Sequence, residues 1–228
     1  MMKLSNETVA TLKNFAAINS NVVLNTGNLV KTMSESKTIL GSASVPEDFP
    51  GQIGIYDLNE FLSVLGMFND PELVFEETLK SVKITEGRRA VKYFFSEPSI
   101  LTTPNKDIVM PVCEVNFTLT NDDMSSIRKA ASALGVTDMV VRSTGNGDTA
   151  RIVVTDTKDA TSNTFEIEVD GLGVNESVFN FIFNISNFKF VSGDYDVSIS
   201  SKLISNFKLK GGDTQYWVAL EKNSTYGE

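Results

Sequence analysis

A repeat inside the chain limits its possible folds more than any other feature, because a duplicated pattern calls for a duplicated unit. The segment 4–16 (Leu-Ser-Asn-Glu-Thr-Val-Ala-Thr-Leu-Lys-Asn-Phe-Ala) is matched in chemical kind by 119–131 (Leu-Thr-Asn-Asp-Asp-Met-Ser-Ser-Ile-Arg-Lys-Ala-Ala), 115 positions further on. Ser5 and Thr120 each read as a helix N-cap with acids in the turn that follows. Val9 pairs with Met124, Leu12 with Ile127 and Lys13 with Arg128. A second pair of segments, 55–61 and 182–188, is 127 positions apart. Each reads as a strand that enters a helix through an Asx cap, Asp57 in one and Asn184 in the other. The wider spacing gives the second half a longer middle, and 156–163 (Asp-Thr-Lys-Asp-Ala-Thr-Ser-Asn) has the composition of a hairpin loop.

The elements between these anchors keep the same order. Strands are predicted at 22–24, 29–32 and 38–42, with Thr26-Gly27-Asn28 as a turn. In the second half they fall at 139–142, 149–155 and 164–169, with Gly145-Asn146-Gly147 as the turn. After each second helix (57–68 in the first half) come three more strands, at 73–75, 81–85 and 90–94, then at 195–200, 205–209 and 216–220. Each half is therefore helix, strands, helix, strands: the fold class is α+β, a tandem duplicate of one domain of roughly a hundred residues. The stretch 97–111 has two of its prolines at Pro98 and Pro104 and no periodicity, so it reads as a linker between domains at 1–96 and 112–228. Its Ile100-Leu101 pair predicts that it packs down on the domains.

On a helical wheel Val9, Leu12, Phe15 and Ala16 form one buried stripe. Asn6, Ala10, Lys13, Asn14 and Ala17 face the other way. The matching helix buries Met124, Ile127, Ala131 and Leu134 and presents Asn121, Ser125, Arg128, Lys129 and Ser132. Beyond the first turn, both outward faces are small, polar and basic. The chain as a whole has a formal net charge of −9. Segregation of base onto a recurring face, rather than the sum, is the electrostatic mark of contact with nucleic acid.

Other functions are narrowed by what the sequence holds. There is no histidine and one cysteine, Cys113. Ser-His-Asp and Cys-His catalysis, His-ligated zinc and an intramolecular disulfide are excluded together. Cys113, in Val112-Cys113-Glu114-Val115, reads as a small core residue of a strand. Carboxylate pairs at Asp122-Asp123 and Glu76-Glu77 could serve acid-base or metal chemistry. The first pair fits a helix's first turn and the second a loop after a strand, so no catalytic residue, metal or cofactor is expected. Gly211-Gly212 and the 145–147 turn precede no helix and no Lys-Ser/Thr pair, so they are hairpin turns rather than phosphate loops. No stretch is apolar long enough to span a bilayer and no secretory signal is visible, which makes the cytoplasm the expected location.

Segments 3–19, 56–65, 179–189 and 216–225 resemble the sliding clamps of T-even-type bacteriophages, and the resemblance runs the length of the chain. It implies a two-domain subunit, three of which form a ring of six domains, with helices lining the hole and antiparallel sheets outside. It implies no catalytic site, an ATP-driven loader that opens the ring, and a DNA polymerase docked on one face as its processivity partner. It also implies a part in late-gene transcription through sigma-like and co-activator proteins. The location would be the cytoplasm of the infected bacterial host. The acidic net charge then makes sense: a closed ring persists on duplex DNA without tight, sequence-specific contacts, and a weakly basic lining permits sliding.

Lys13, Arg128 and Lys129 match the family's channel-facing bases, Lys189 follows in the last helix, and Lys3 joins from a helix N-terminus. The second helix departs from that pattern, with Glu60 and no base, and Asn6 is neutral. Partner peptides are expected in an apolar pocket near the linker, for which Ile108, Met110, Pro111, Val218 and Leu220 are the candidates. Subunits are expected to join through edge strands, since a ring leaves no edge free. The rival reading is a β-rich oligomeric structural component of a phage, and against it stands the repeated basic helix face, which a shell protein does not need.

Overall fold

The computed structural model describes residues 1–104, 106–144, 149–170 and 177–227. They divide into two compact units, Met1–Asp107 and Ile108–Glu228, and the division falls inside 97–111. The turn expected at 145–147 lies outside the described residues.

In the first unit α1 (Asn6–Ile18) is followed by β1 (Val22–Leu24), β2 (Gly27–Met33), β3 (Ile39–Phe49) and β4 (Ile53–Ile55). Then come α2 (Leu58–Leu65), β5 (Glu72–Phe75), β6 (Ser81–Glu86) and β7 (Arg89–Phe94). The Ser5 hydroxyl accepts the Thr8 N–H at 3.1 Å and starts α1. The helix stops where Asn19 turns extended, its N–H still bonded to the Phe15 carbonyl at 2.9 Å. The buried positions are Thr8, Leu12, Phe15 and Ile18, whereas Val9 and Ala16 are half-buried flanks. The expected stripe is thus rotated toward Thr8, because Glu47 of β3 bonds the Thr8 hydroxyl and gives a polar side chain a buried place. α1 packs on α2 and β3. Asp57 caps α2 by accepting from Asn59 and Glu60 at 2.9 and 3.1 Å, and Leu58, Phe61 and Leu65 are buried at helical spacing. β2 pairs antiparallel with β3, β1 with β4, and β5, β6 and β7 form a sheet in that order. The expected turn at 26–28 is instead a bend followed by a bulge between Gly27 and Leu29, with Gly27 at φ 98°.

In the second unit β8 (Val115–Leu119) leads into α3 (Asn121–Leu134), then β9 (Asp138–Ser143), β10 (Thr149–Thr155), β11 (Phe165–Asp170) and β12 (Phe179–Asn184). β13 (Tyr195–Ser200), β14 (Ile204–Leu209), β15 (Gln215–Ala219) and β16 (Thr225–Tyr226) follow. Thr120 and Asp123 form a reciprocal capping box, with the Asp123 N–H on Thr120 Oγ1 at 3.1 Å. Gly135, at φ 68°, closes the helix in the left-handed conformation. Met124, Ile127 and Ala131 face inward. One antiparallel sheet runs β11-β10-β9-β12-β16. Another set pairs β8 with β13, β13 with β14 and β14 with β15.

Three further expectations are corrected. The helix expected after Asn184 is only a 3-10 turn, Ile185–Asn187. Phe188 and Phe190 are both buried, two residues apart, and enter one aromatic cluster with Phe207 and Tyr216. Extended chain puts such neighbours on one side; a helix would send them apart. Cys113 lies outside any strand, half-buried, with its Sγ 3.4 Å from the Pro111 carbonyl. Ile100 is exposed while Leu101 is buried, so only half of that pair packs down.

Candidate nucleic-acid interface

Lys13 stands exposed on α1, and Arg128 and Lys129 stand exposed on α3, on the faces turned away from each unit's core. Neither Lys13 nor Lys129 makes an ion pair with a described residue. Arg128 is different: its guanidinium donates to the Phe188 carbonyl oxygen at 2.6 Å. That oxygen belongs to the irregular backbone after the 3-10 turn, where a helix would have supplied its own donor. The bond also sets Lys189, the next residue and exposed, near Arg128. Arg128, Lys129 and Lys189 all belong to the second unit. Lys3 pairs with Asp70, an acid that offsets its charge. On α2 the exposed residues are Asn59, Glu60 and Ser63, with no base.

Two of the four acids considered for catalysis, Asp123 and Glu76, have structural tasks. Asp123 completes the capping box of α3. Glu76 bonds Lys92 at 2.6 Å, which holds its carboxyl below the ordinary range. Burial pushes the Cys113 thiol upward, and neighbouring Glu114 adds to this, the opposite of what a nucleophile needs. Among the described residues no group of three His, Cys, Asp or Glu side chains could hold a metal ion. Among the described residues no helix is long and apolar enough to cross a membrane.

The partner-pocket candidates are spread out. Ile108 and Met110 are half-buried and Pro111 is exposed. Val218 and Leu220 are core residues of the second unit. The first unit has its own cleft of about 510 Å³ beside residues 97–103, with Val23, Met33, Gln52, Pro98 and Leu101 in its wall. Sequence reasoning missed it, because its wall joins four separate stretches and only Leu101 gave a signal.

Outward helix faces that carry bases, backed by antiparallel sheets in a two-part α+β chain, define the DNA-clamp fold. Solved structures agree. The PCNA2-PCNA3 complex of Sulfolobus tokodaii superposes with a TM-score of 0.68 at 13% identity, over 96% of this chain and 99% of that one. The beta clamp of Helicobacter pylori gives 0.70 at 14%, over 97% of this chain and 64% of that one. The family described as DNA polymerase processivity factor matches residues 4–103, and the one described as gp45 sliding clamp, C terminal, matches 116–222. The sliding clamp of Vibrio phage KVP40 is 31% identical, over 96% of this chain and 99% of its own length. That of Enterobacteria phage T4 is 29% identical, over 99% of both. The chain belongs to the sliding-clamp family of bacteriophages, the DNA polymerase processivity factors. The rival reading as a structural component is left with no observation in its favour.

Proposed function

We propose that three copies of this chain close into a ring around duplex DNA and tether the replicative polymerase without catalysing any reaction. The observation that carries this is the exposed base on the outward helix faces, two on α3 (Arg128 and Lys129) and one on α1 (Lys13), in a chain of net charge −9. Lys189 and, at the margin, Lys3 extend that face. Phosphate contacts of this kind carry no sequence information, which suits a protein that must slide.

The free sheet edges support closure. Among the described residues β7 ends one sheet and β11 ends another. The stretch 88–94 holds Arg88, Arg89 and Lys92 and no acid; the stretch 165–170 holds Glu166, Glu168 and Asp170 and no base. On 165–170 apolar residues alternate with these charges. Joining β7 of one copy to β11 of the next is a head-to-tail contact, which forms a ring when the rotation closes. Ring opening needs a loader, and partner peptides dock in the cleft beside 97–103, with Ile108, Met110 and Pro111 close by in sequence. In this reading the clamp works in the cytoplasm of the infected host and also serves late-gene transcription through sigma and co-activator proteins.

Light scattering after gel filtration, over a dilution series, tests the assembly. The expected mass is about three times the subunit's 25.0 kDa. A monomer at every concentration would refute self-closure.

A further inference from the structure

The two units are built on one plan, yet their outward faces differ in charge. On α1 the exposed base is Lys13, six residues after the exposed acid Glu7. α2, which packs against α1, adds the exposed acid Glu60. In the second unit Arg128 likewise follows Asp122 by six residues, about 9 Å of helix rise and comparable to the screening length at physiological salt. Asp123 is engaged in the capping box, and Asp194 accepts the Asn121 N–H at that same end. Lys129 adds a second base. Where the first unit has Glu60 on its second helix, the second unit has the 3-10 turn followed by Lys189. The first copy therefore presents one base here, Lys13, and the second presents three, Arg128, Lys129 and Lys189.

Arg128 is also better placed than a freely rotating surface side chain. One of its N–H groups is engaged by the Phe188 carbonyl, which holds the planar fork in place.

We propose that the second unit makes most of the phosphate contacts, through Arg128, Lys129 and Lys189, while α1 and α2 of the first unit act as a nearly neutral guide. The duplex is then held by three separated basic patches per ring rather than by a uniform lining. This rests on the reading that the chain encircles duplex DNA.

The test compares Lys13→Gln with Lys129→Gln, two exposed lysines on corresponding helix faces that make no hydrogen bond or ion pair with a described residue. Binding to a labelled duplex is followed by anisotropy as salt is raised, and retention on a nicked circular plasmid is measured alongside. Lys129→Gln should weaken duplex binding several-fold and flatten the log–log salt slope by about 0.9 for each phosphate that is no longer neutralised. Lys13→Gln should stay within about two-fold of the parent, as expected where the lysine neutralises no phosphate. An equal or larger effect of Lys13→Gln would overturn the assignment, as would two silent substitutions in a protein still retained on the circle. Failure of the parent protein to be retained on the circle would instead overturn encirclement itself, and the assignment with it.

Discussion

Glu47, on β3, accepts a hydrogen bond from the hydroxyl of Thr8, a residue with no exposed surface in the first turn of α1. The same carboxylate takes the Ser5 N–H. Burial alone would push this carboxyl up, but the hydrogen bonds from Thr8 and Ser5 outweigh it and hold it below its ordinary value of 4.5. A carboxyl lowered in the folded state stabilises the fold above that ordinary value and loses the contribution as pH falls through the lowered one. Glu47→Gln should cost about 1–2 kcal/mol near neutral pH, in line with the net worth of hydrogen bonds to a charged group. Denaturant melts of parent and variant should converge as pH falls through the lowered value, where both carry an uncharged side chain.

The backbone of Val191 offers a second case. Its carbonyl accepts the Tyr195 hydroxyl at 2.6 Å and its N–H donates to the Tyr216 hydroxyl at 3.3 Å. Both rings are buried, and burial pushes the Tyr216 hydroxyl up to about 12. With the Arg128 bond to Phe188, these hydrogen bonds satisfy the irregular stretch that stands where a helix was expected. Tyr195→Phe leaves the Val191 carbonyl without that partner and should destabilise the second unit by about 1–3 kcal/mol. Thermal melts read this directly, and a phenolate absorbance titration should show Tyr216 ionising well after an ordinary tyrosine.

Gly54 lies against the start of the linker. Its carbonyl accepts the Ser96 N–H at 2.8 Å, and a Cβ placed on it would come within 2.4 Å of the Ser96 carbonyl oxygen and 3.0 Å of Leu101 Cδ1. The first clash is with backbone, so the segment itself must move. Gly54→Ala should cost about 1–3 kcal/mol, as overpacking at a close approach does. Amide exchange at Ser96 should speed up while α3 keeps its protection.

The sheet edges give a prediction about assembly. Lys92 on β7 is exposed and engages Glu76 within its own unit. If β7 meets the acidic β11 of the next copy, Lys92→Glu sets like charges together and should raise the subunit dissociation constant by about ten-fold or more, as like-charge juxtaposition across an interface does. Sedimentation at graded concentrations checks it. An unchanged constant would place the joint elsewhere.

Much of this fold was legible because its signals are local. Ser5, Asp57 and Thr120 announced the starts of three helices, and the strand at 149–155 was marked end to end by its composition. The failures share a different cause. Asn184 gave the same cap signal as Asp57, and its Oδ1 does accept the Ser186 N–H at 3.0 Å. The helix stops because Phe188 and Phe190 are drawn into a cluster with Phe207 and Tyr216, partners beyond local reach. Tertiary packing overrode the cap. Lys13, Arg128 and Lys129 could be found by periodicity, whereas the bond from Arg128 to Phe188 joins residues 60 positions apart and leaves no trace in spacing. The cleft beside Leu101 and the pairing of Lys3 with Asp70 were hidden for the same reason.

Retention on closed DNA is the measurement closest to the central claim. Subunits would be concentrated with a nicked circular plasmid so that rings close around it, and gel filtration would follow in moderate salt. Encirclement predicts that protein co-elutes with the circle and is released once a single cut makes the plasmid linear. Equal retention on circle and line, or none on either, would contradict a ring that holds DNA by topology.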